Sequence, residues 1–311
     1  MQNTKNNLKG SLILCLTALI WGLAFVAQTD AAEKVPPFMF NCLRSLVGSA
    51  VLYIFIKVRA GKTREKIIPA NKTERKTVFA GAAVCGTMLA VSINLQQGGI
   101  SVYPDGVAAS ARAGFLTALY VILVPIISVF FGKKIHPVIW ASVLTALAGV
   151  YLLCFTGDVG RIYLGDVLML LCALAFSFHI ITVDKYAGAV GGVRLSCLQF
   201  LFCGILSGAT ALIFEFKTIT AAGLYAALPQ LLYLGIVSSG VGYTLQIIGQ
   251  KYAEPSVASI SMSLESVFAA LGGWIIMGNS MSFKEISGCV VMFAAIVLAQ
   301  TPEMIKSKRE K

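Results

Sequence analysis

Histidine is nearly missing from this sequence: His136 and His179 are the two it has. Two histidines can assemble neither an HExxH zinc site nor a histidine-based catalytic cluster. Charge is scarce as well. Only 13% of the 311 residues are charged against 57% hydrophobic, and the mean hydropathy is +0.82, far too apolar for a soluble domain of this length. Acidic residues are the rarer sign, 14 against 25 basic, which leaves a net charge of +11. That excess does not describe a nucleic-acid face, because the basic residues fall in short loops and at the termini and are not interleaved with aromatics. No P-loop is present either: Gly61-Lys62-Thr63 ends like one, but Ile56 stands where its first glycine belongs. The eight cysteines all lie within apolar runs, without metal-ligand spacing or an extracellular framework, so they read as small hydrophobic packing residues. No metal and no cofactor are called for.

What the chain has in abundance is long hydrophobic runs. Charge and Gly/Pro punctuation divide them into ten spans, at 11–28, 38–56, 77–97, 105–131, 138–155, 163–183, 195–214, 226–250, 257–277 and 282–300. With ten crossings, nineteen lysines and arginines fall in loops and termini on one side and four (Lys34, Arg161, Lys217, Lys284) on the other. Positively charged loops stay cytoplasmic, so both termini are expected there. The remaining two basic residues, Arg44 and Arg112, lie inside spans. Lys5 and Lys9 before an apolar run imitate a secretory signal, a reading the internal repeat argues against.

The halves match in order. At an offset of 155, Leu16, Ala18, Cys42 and Leu43 meet Leu171, Ala173, Cys197 and Leu198; at 154, Gly81, Gly86 and Gln96 meet Gly235, Gly240 and Gln250. After a gap, Val107 and Ala108 meet Val257 and Ala258, and Gly132 meets Gly278. Five spans per unit is an odd number, so the second unit enters the membrane from the opposite side, an inverted arrangement that places a site at mid-membrane between the halves.

One carboxylate, Glu265, interrupts the apolar run Val257 to Gly278 near its middle. An ionised carboxylate at that depth costs at least a few kcal/mol unless a partner, a proton or a cavity accompanies it. Arg112, beside the small residues Ala113 and Gly114, is the expected countercharge. Arg44 lies about two turns from its span's outer end and reads as snorkelling or structurally paired; His179 reads as an interface residue. Polar side chains recur at helical spacing in span eight (Ser239, Tyr243, Gln246, Gln250), with Thr17, Trp21 and Gln28 in span one and Asn94 in span three. Such stripes serve either interhelical hydrogen bonds or a water-filled face. Gly204 and Gly208 form a GxxxG packing device. Pro125 frees a carbonyl inside span four and either hinges or merely shapes the bundle.

Three stretches carry a resemblance: Leu19-Ile20-Trp21-Gly22; the run from Ala111-Arg112-Ala113-Gly114 through Tyr120 to Val124-Pro125; and Ser263-Leu264-Glu265-Ser266 through Gly272-Gly273-Trp274. Over essentially its whole length the chain resembles the drug/metabolite transporter superfamily, in its EamA-like branch. That resemblance implies an all-α integral membrane protein of ten transmembrane helices in two inverted five-helix repeats, 1–156 and 157–311, that moves small metabolites and often exports amino acids. Members commonly end spans four and nine with Gly-Glu, whereas this chain has Gly132-Lys133 and Gly278-Asn279.

The expected protein is a multi-pass transporter of the plasma membrane, not an enzyme. Its expected site has Trp21, Tyr120 and Tyr243 as aromatic walls, Asn94 and Gln246 as hydrogen-bonding groups, and Arg112 with Glu265 as a charged pair suited to a zwitterion. Its partners are a small-molecule substrate and the lipid bilayer, with proton coupling left open, no nucleic acid, and a monomeric or homodimeric state. Organic-cation efflux over the same aromatic walls, or a non-transporting membrane scaffold, are the alternatives.

Overall fold

The computed structural model describes residues 2–63, 67–104, 107, 109–154, 162–277 and 282–309. Among them the regular structure is helical throughout, with no strand. The helices are α1 (Gln2–Ala32), α2 (Pro37–Thr63), α3 (Lys72–Ser101), α4 (Ala109–Ala118), α5 (Tyr120–Phe130), α6 (Pro137–Cys154), α7 (Leu164–Val190) and α8 (Gly192–Phe214). The short helices α9 (Ala221–Ala226) and α10 (Leu228–Leu232) lead into a π-helical segment, Tyr233–Gly242, followed by α11 (Tyr243–Gln250), α12 (Pro255–Met262), α13 (Glu265–Met277) and α14 (Phe283–Arg309).

Among the described residues eight stretches are helical, long and apolar enough to cross a membrane, and Pro137–Leu153 is a shorter apolar helix. The span expected at 257–277 is not one helix but the pair α12 and α13. Large apolar side chains such as Ile54, Phe130, Ile213 and Val290 are exposed, which suits a lipid surround. The expected repeat boundary at 156/157 lies outside the described residues, as do Ala108, Arg161 and the Gly278-Asn279 pair.

Polar residues set where helices begin. Pro37 opens α2, needing no partner for an N–H it lacks, and the next two N–H groups, of Phe38 and Met39, donate to the two oxygens of Glu215 at 2.9 and 2.8 Å. Asn71 caps α3 by accepting the Thr73 N–H at 2.9 Å.

α2 packs along α8, and α6 along α14. Small residues allow both approaches: Gly204 and Gly208 face Leu46 and Cys42, and a Cβ on Gly149 would stand 3.1 Å from the Gly288 carbonyl oxygen. α3 lies against α7 and α8; α1 lies against α11, the π-helical segment, α12 and α13; α7 lies against α4 and α5.

Candidate substrate cavity

Two helices break in the bundle's interior with the same local geometry. Leu119, between α4 and α5, has φ −61° and ψ −12°; Ser263, after α12, has φ −63° and ψ −12°. Different residues lie behind the two breaks. In the first, Pro125 lies inside α5, and a proline ring within a helix crowds the carbonyl four residues back, here that of Val121, on the side towards Leu119. In the second, the hydroxyls of Ser259, Ser261 and Ser263 bond carbonyls three or four residues earlier, at 2.8–2.9 Å, a pattern that bends helices.

The restarts carry the chemistry. Tyr120 is the first residue of α5 and Glu265 the first of α13; both are buried, and the Tyr120 hydroxyl donates to Glu265 Oε1 at 3.0 Å. Glu265 therefore sits in the first turn of a helix, the end at which the helix dipole favours a carboxylate. It carries no ion pair among the described residues. Gly22 allows this placement, since a Cβ there would lie 2.6 Å from the Glu265 carbonyl oxygen.

Around this contact lies a narrow cavity, lined by Trp21, Tyr120, Tyr243, Gln246 and Glu265 of the seven expected site residues. The rings of Trp21 and Tyr243 meet at 4.4 Å between centroids, 51° apart, and Phe200 stands edge-on to Tyr243 at 5.2 Å. Among the described residues Trp21 Nε1, Arg44 Nε and Gln246 Oε1 are buried without a hydrogen-bond partner, three polar atoms of the lining available to a guest or to water.

The span-eight stripe is only half used. Ser239 packs against Gly48, and Gln250 donates to the Ile180 carbonyl at 2.9 Å. Ser238 lines the cavity in place of Ser239, because π geometry, visible where the Tyr243 N–H reaches the Ser238 carbonyl, brings residues five apart onto one face where an α-helix would use four.

Two expected residues stand elsewhere. Asn94 joins α2, α3 and α8, accepting from Asn41 Nδ2 at 2.8 Å and donating to Ser207 Oγ at 3.0 Å. Arg112 does not face Glu265: its Nε and Nη2 hold Asp166 Oδ1 and Oδ2 at 2.9 and 2.5 Å. It belongs to the first turn of the short helix α4 and meets a carboxylate in the first turn of α7. The Tyr163 N–H and the Tyr103 hydroxyl also donate to Asp166, at 2.9 and 2.8 Å. Burial and this carboxylate push the Tyr103 phenol well above its ordinary pKa, so it stays a donor.

The basic residue that does line the cavity is Arg44, 4% exposed and bonded to Gln28 Oε1 at 3.4 Å. It does not snorkel. His179 is likewise interior, fully buried with its Nε2 3.2 Å from Gln199 Oε1, and not an interface residue. Among the described residues no cluster of three His, Cys, Asp or Glu could hold a metal.

The sequence model of the EamA-like transporter family matches this chain twice, over residues 8–155 and 163–301. An uncharacterized transporter of Archaeoglobus fulgidus is 28% identical over 296 residues, covering 94% of this chain and 85% of the relative. The uncharacterized transporter YoaV of Bacillus subtilis is 20% identical over 285 residues, covering 90% and 92%. A solved crystal structure, 20% identical, superposes with a TM-score of 0.72 over 94% of this chain and 96% of that one, a likeness of fold.

Proposed function

Because the chain belongs to the EamA-like transporter family and is a multi-pass membrane transporter, we propose that it exports an amino acid or related zwitterion by alternating access between two inverted repeats, 1–156 and 157–311. Both termini are cytoplasmic in this reading and the membrane is the plasma membrane. Ten crossings result when α4–α5, α10–α11 and α12–α13 each count as one.

Support for the repeat comes from packing. Exchanging the first five spans for the second five turns α3 against α7 into the α10–α11 span against α1, and α7 against α4–α5 into α1 against α12–α13; α2 with α8 and α6 with α14 map onto themselves. The close approach of Gly10 to Gly249 has its counterpart in Gly165 and Gly99, and Gly165 follows Gly10 by the offset of 155.

The observation that carries the reading is the meeting of Tyr120 and Glu265 at two equivalent helix breaks inside a cavity with unpartnered polar atoms. Discontinuous helices at the repeat interface are where secondary transporters bind substrate and coupling ion. Glu265 then alternates between a proton and the substrate's ammonium group, since either neutralises a carboxylate that is costly alone. Trp21 and Tyr243 supply the walls and Gln246 an acceptor.

Counterflow in proteoliposomes across labelled amino acids, organic cations and nucleotide sugars tests this. Amino acids are expected to exchange without added energy. Exchange of organic cations alone would favour an efflux function, and no flux of any class would contradict transport of these substrates.

A further inference from the structure

We infer that Arg44 seats a carboxylate of the transported molecule, at the opposite pole of the cavity's chemistry from Glu265. The inference rests on the cavity being the transport site. Arg44 lies within α2, almost fully buried, and lines the same cavity as Glu265. Its protein contacts are poor for a buried cation: a long 3.4 Å bond from Nη1 to the neutral Gln28 Oε1, and the Phe40 ring 6.0 Å away. Nε has no hydrogen-bond partner among the described residues.

Glu265 shares the cavity but bonds Tyr120 and, among the described residues, makes no bond to Arg44, and two other buried carboxylates are committed elsewhere. Asp166 holds Arg112, and Glu215 accepts the first N–H groups of α2. A guanidinium taken out of water is stable only with an anion beside it, and its planar fork matches the two oxygens of a carboxylate. A dianionic phosphate fits less well, because Arg44 is the one cation in the lining and Glu265 opposes any further negative charge. One cation and one carboxylate in a single cavity are complementary to a small zwitterion, with Gln28 as the neutral placeholder at the anion end.

The test uses the full-length protein with the twenty L-amino acids, short 2-oxo acids, and the amines left when each amino acid loses its carboxylate. Binding is measured by calorimetry and counterflow in proteoliposomes, for wild type, Arg44→Gln, Arg44→Lys and Gln28→Glu. Carboxylates should bind wild type at least about tenfold more tightly than their matched amines, and Arg44→Gln should remove that preference. Arg44→Lys should keep part of it. Gln28→Glu places a tethered carboxylate beside Arg44, so it should fold with unchanged or higher thermal stability while carboxylate binding falls by at least about tenfold, an arm that survives if Arg44→Gln fails to fold.

Amines transported while no carboxylate binds would overturn the Arg44 assignment and leave transport standing. Carboxylate binding that depends on Arg44 without any flux would support the assignment and sink transport. Carboxylates bound equally by wild type and Gln28→Glu, or no binding by any probe, would overturn the assignment.

Discussion

Arg112 donates two hydrogen bonds to Asp166, with the Arg112 side chain 26% and the Asp166 side chain 9% exposed. Water reaches the arginine, so the loss on breaking the pair is discounted from the 3–5 kcal/mol of a fully buried one to about 1–3 kcal/mol. Arg112→Gln should lower the melting temperature in detergent, and adding Asp166→Asn should recover most of the loss; a double variant no more stable than the single would show that the pair contributes little. At this scale the sequence was legible where depth and period decide: Glu265, Tyr120, Tyr243, Gln246 and Trp21 converge on one cavity. It was not legible where a charge must choose among partners. Asp166 stands 54 residues from Arg112 and Glu265 much farther, and no periodicity ranks them. Arg44 went unrecognised because its distance from the helix end permits snorkelling as readily as burial.

Helix packing places Glu265, and glycine sets that packing. Gly22→Val would press a side chain into the start of α13, where a Cβ already meets the Glu265 carbonyl oxygen at 2.6 Å. It should cost about 1–3 kcal/mol and depress counterflow, whereas Gly98→Ala, with nothing within 4 Å, should be neutral or stabilising by up to about 1 kcal/mol. Equal effects of the two, measured by melting temperature and flux, would remove the packing argument. Pro125→Ala should change exchange rate more than half-saturation, because the distortion it relieves borders the Leu119 break; a change confined to half-saturation would assign Pro125 to cavity shape. Hydropathy marked the eight helical stretches apolar enough to cross a membrane among the described residues but concealed the α12–α13 break and the π-helical segment. Serine-to-carbonyl bonds and a five-residue period leave mean hydropathy untouched. The serines at 259, 261 and 263 were the available signal for the break.

For the whole molecule, the proposed orientation rests on the basic-residue asymmetry and the proposed mechanism on the paired helix breaks. In a background without native cysteines, Ala70→Cys on the basic loop should resist an impermeant maleimide in intact cells, and Lys217→Cys should react; the reverse pattern would invert the topology. The claim on which the rest depends is that Glu265 exchanges a proton for substrate in the cavity. Its most direct test is Glu265→Gln in proteoliposomes, comparing amino-acid counterflow with accumulation driven by a pH gradient. The account predicts counterflow that persists with half-saturation raised by about tenfold and no longer responds to pH, and no accumulation under the gradient. Wild-type counterflow together with a wild-type pH response would contradict it and leave Glu265 a packing residue at the start of α13.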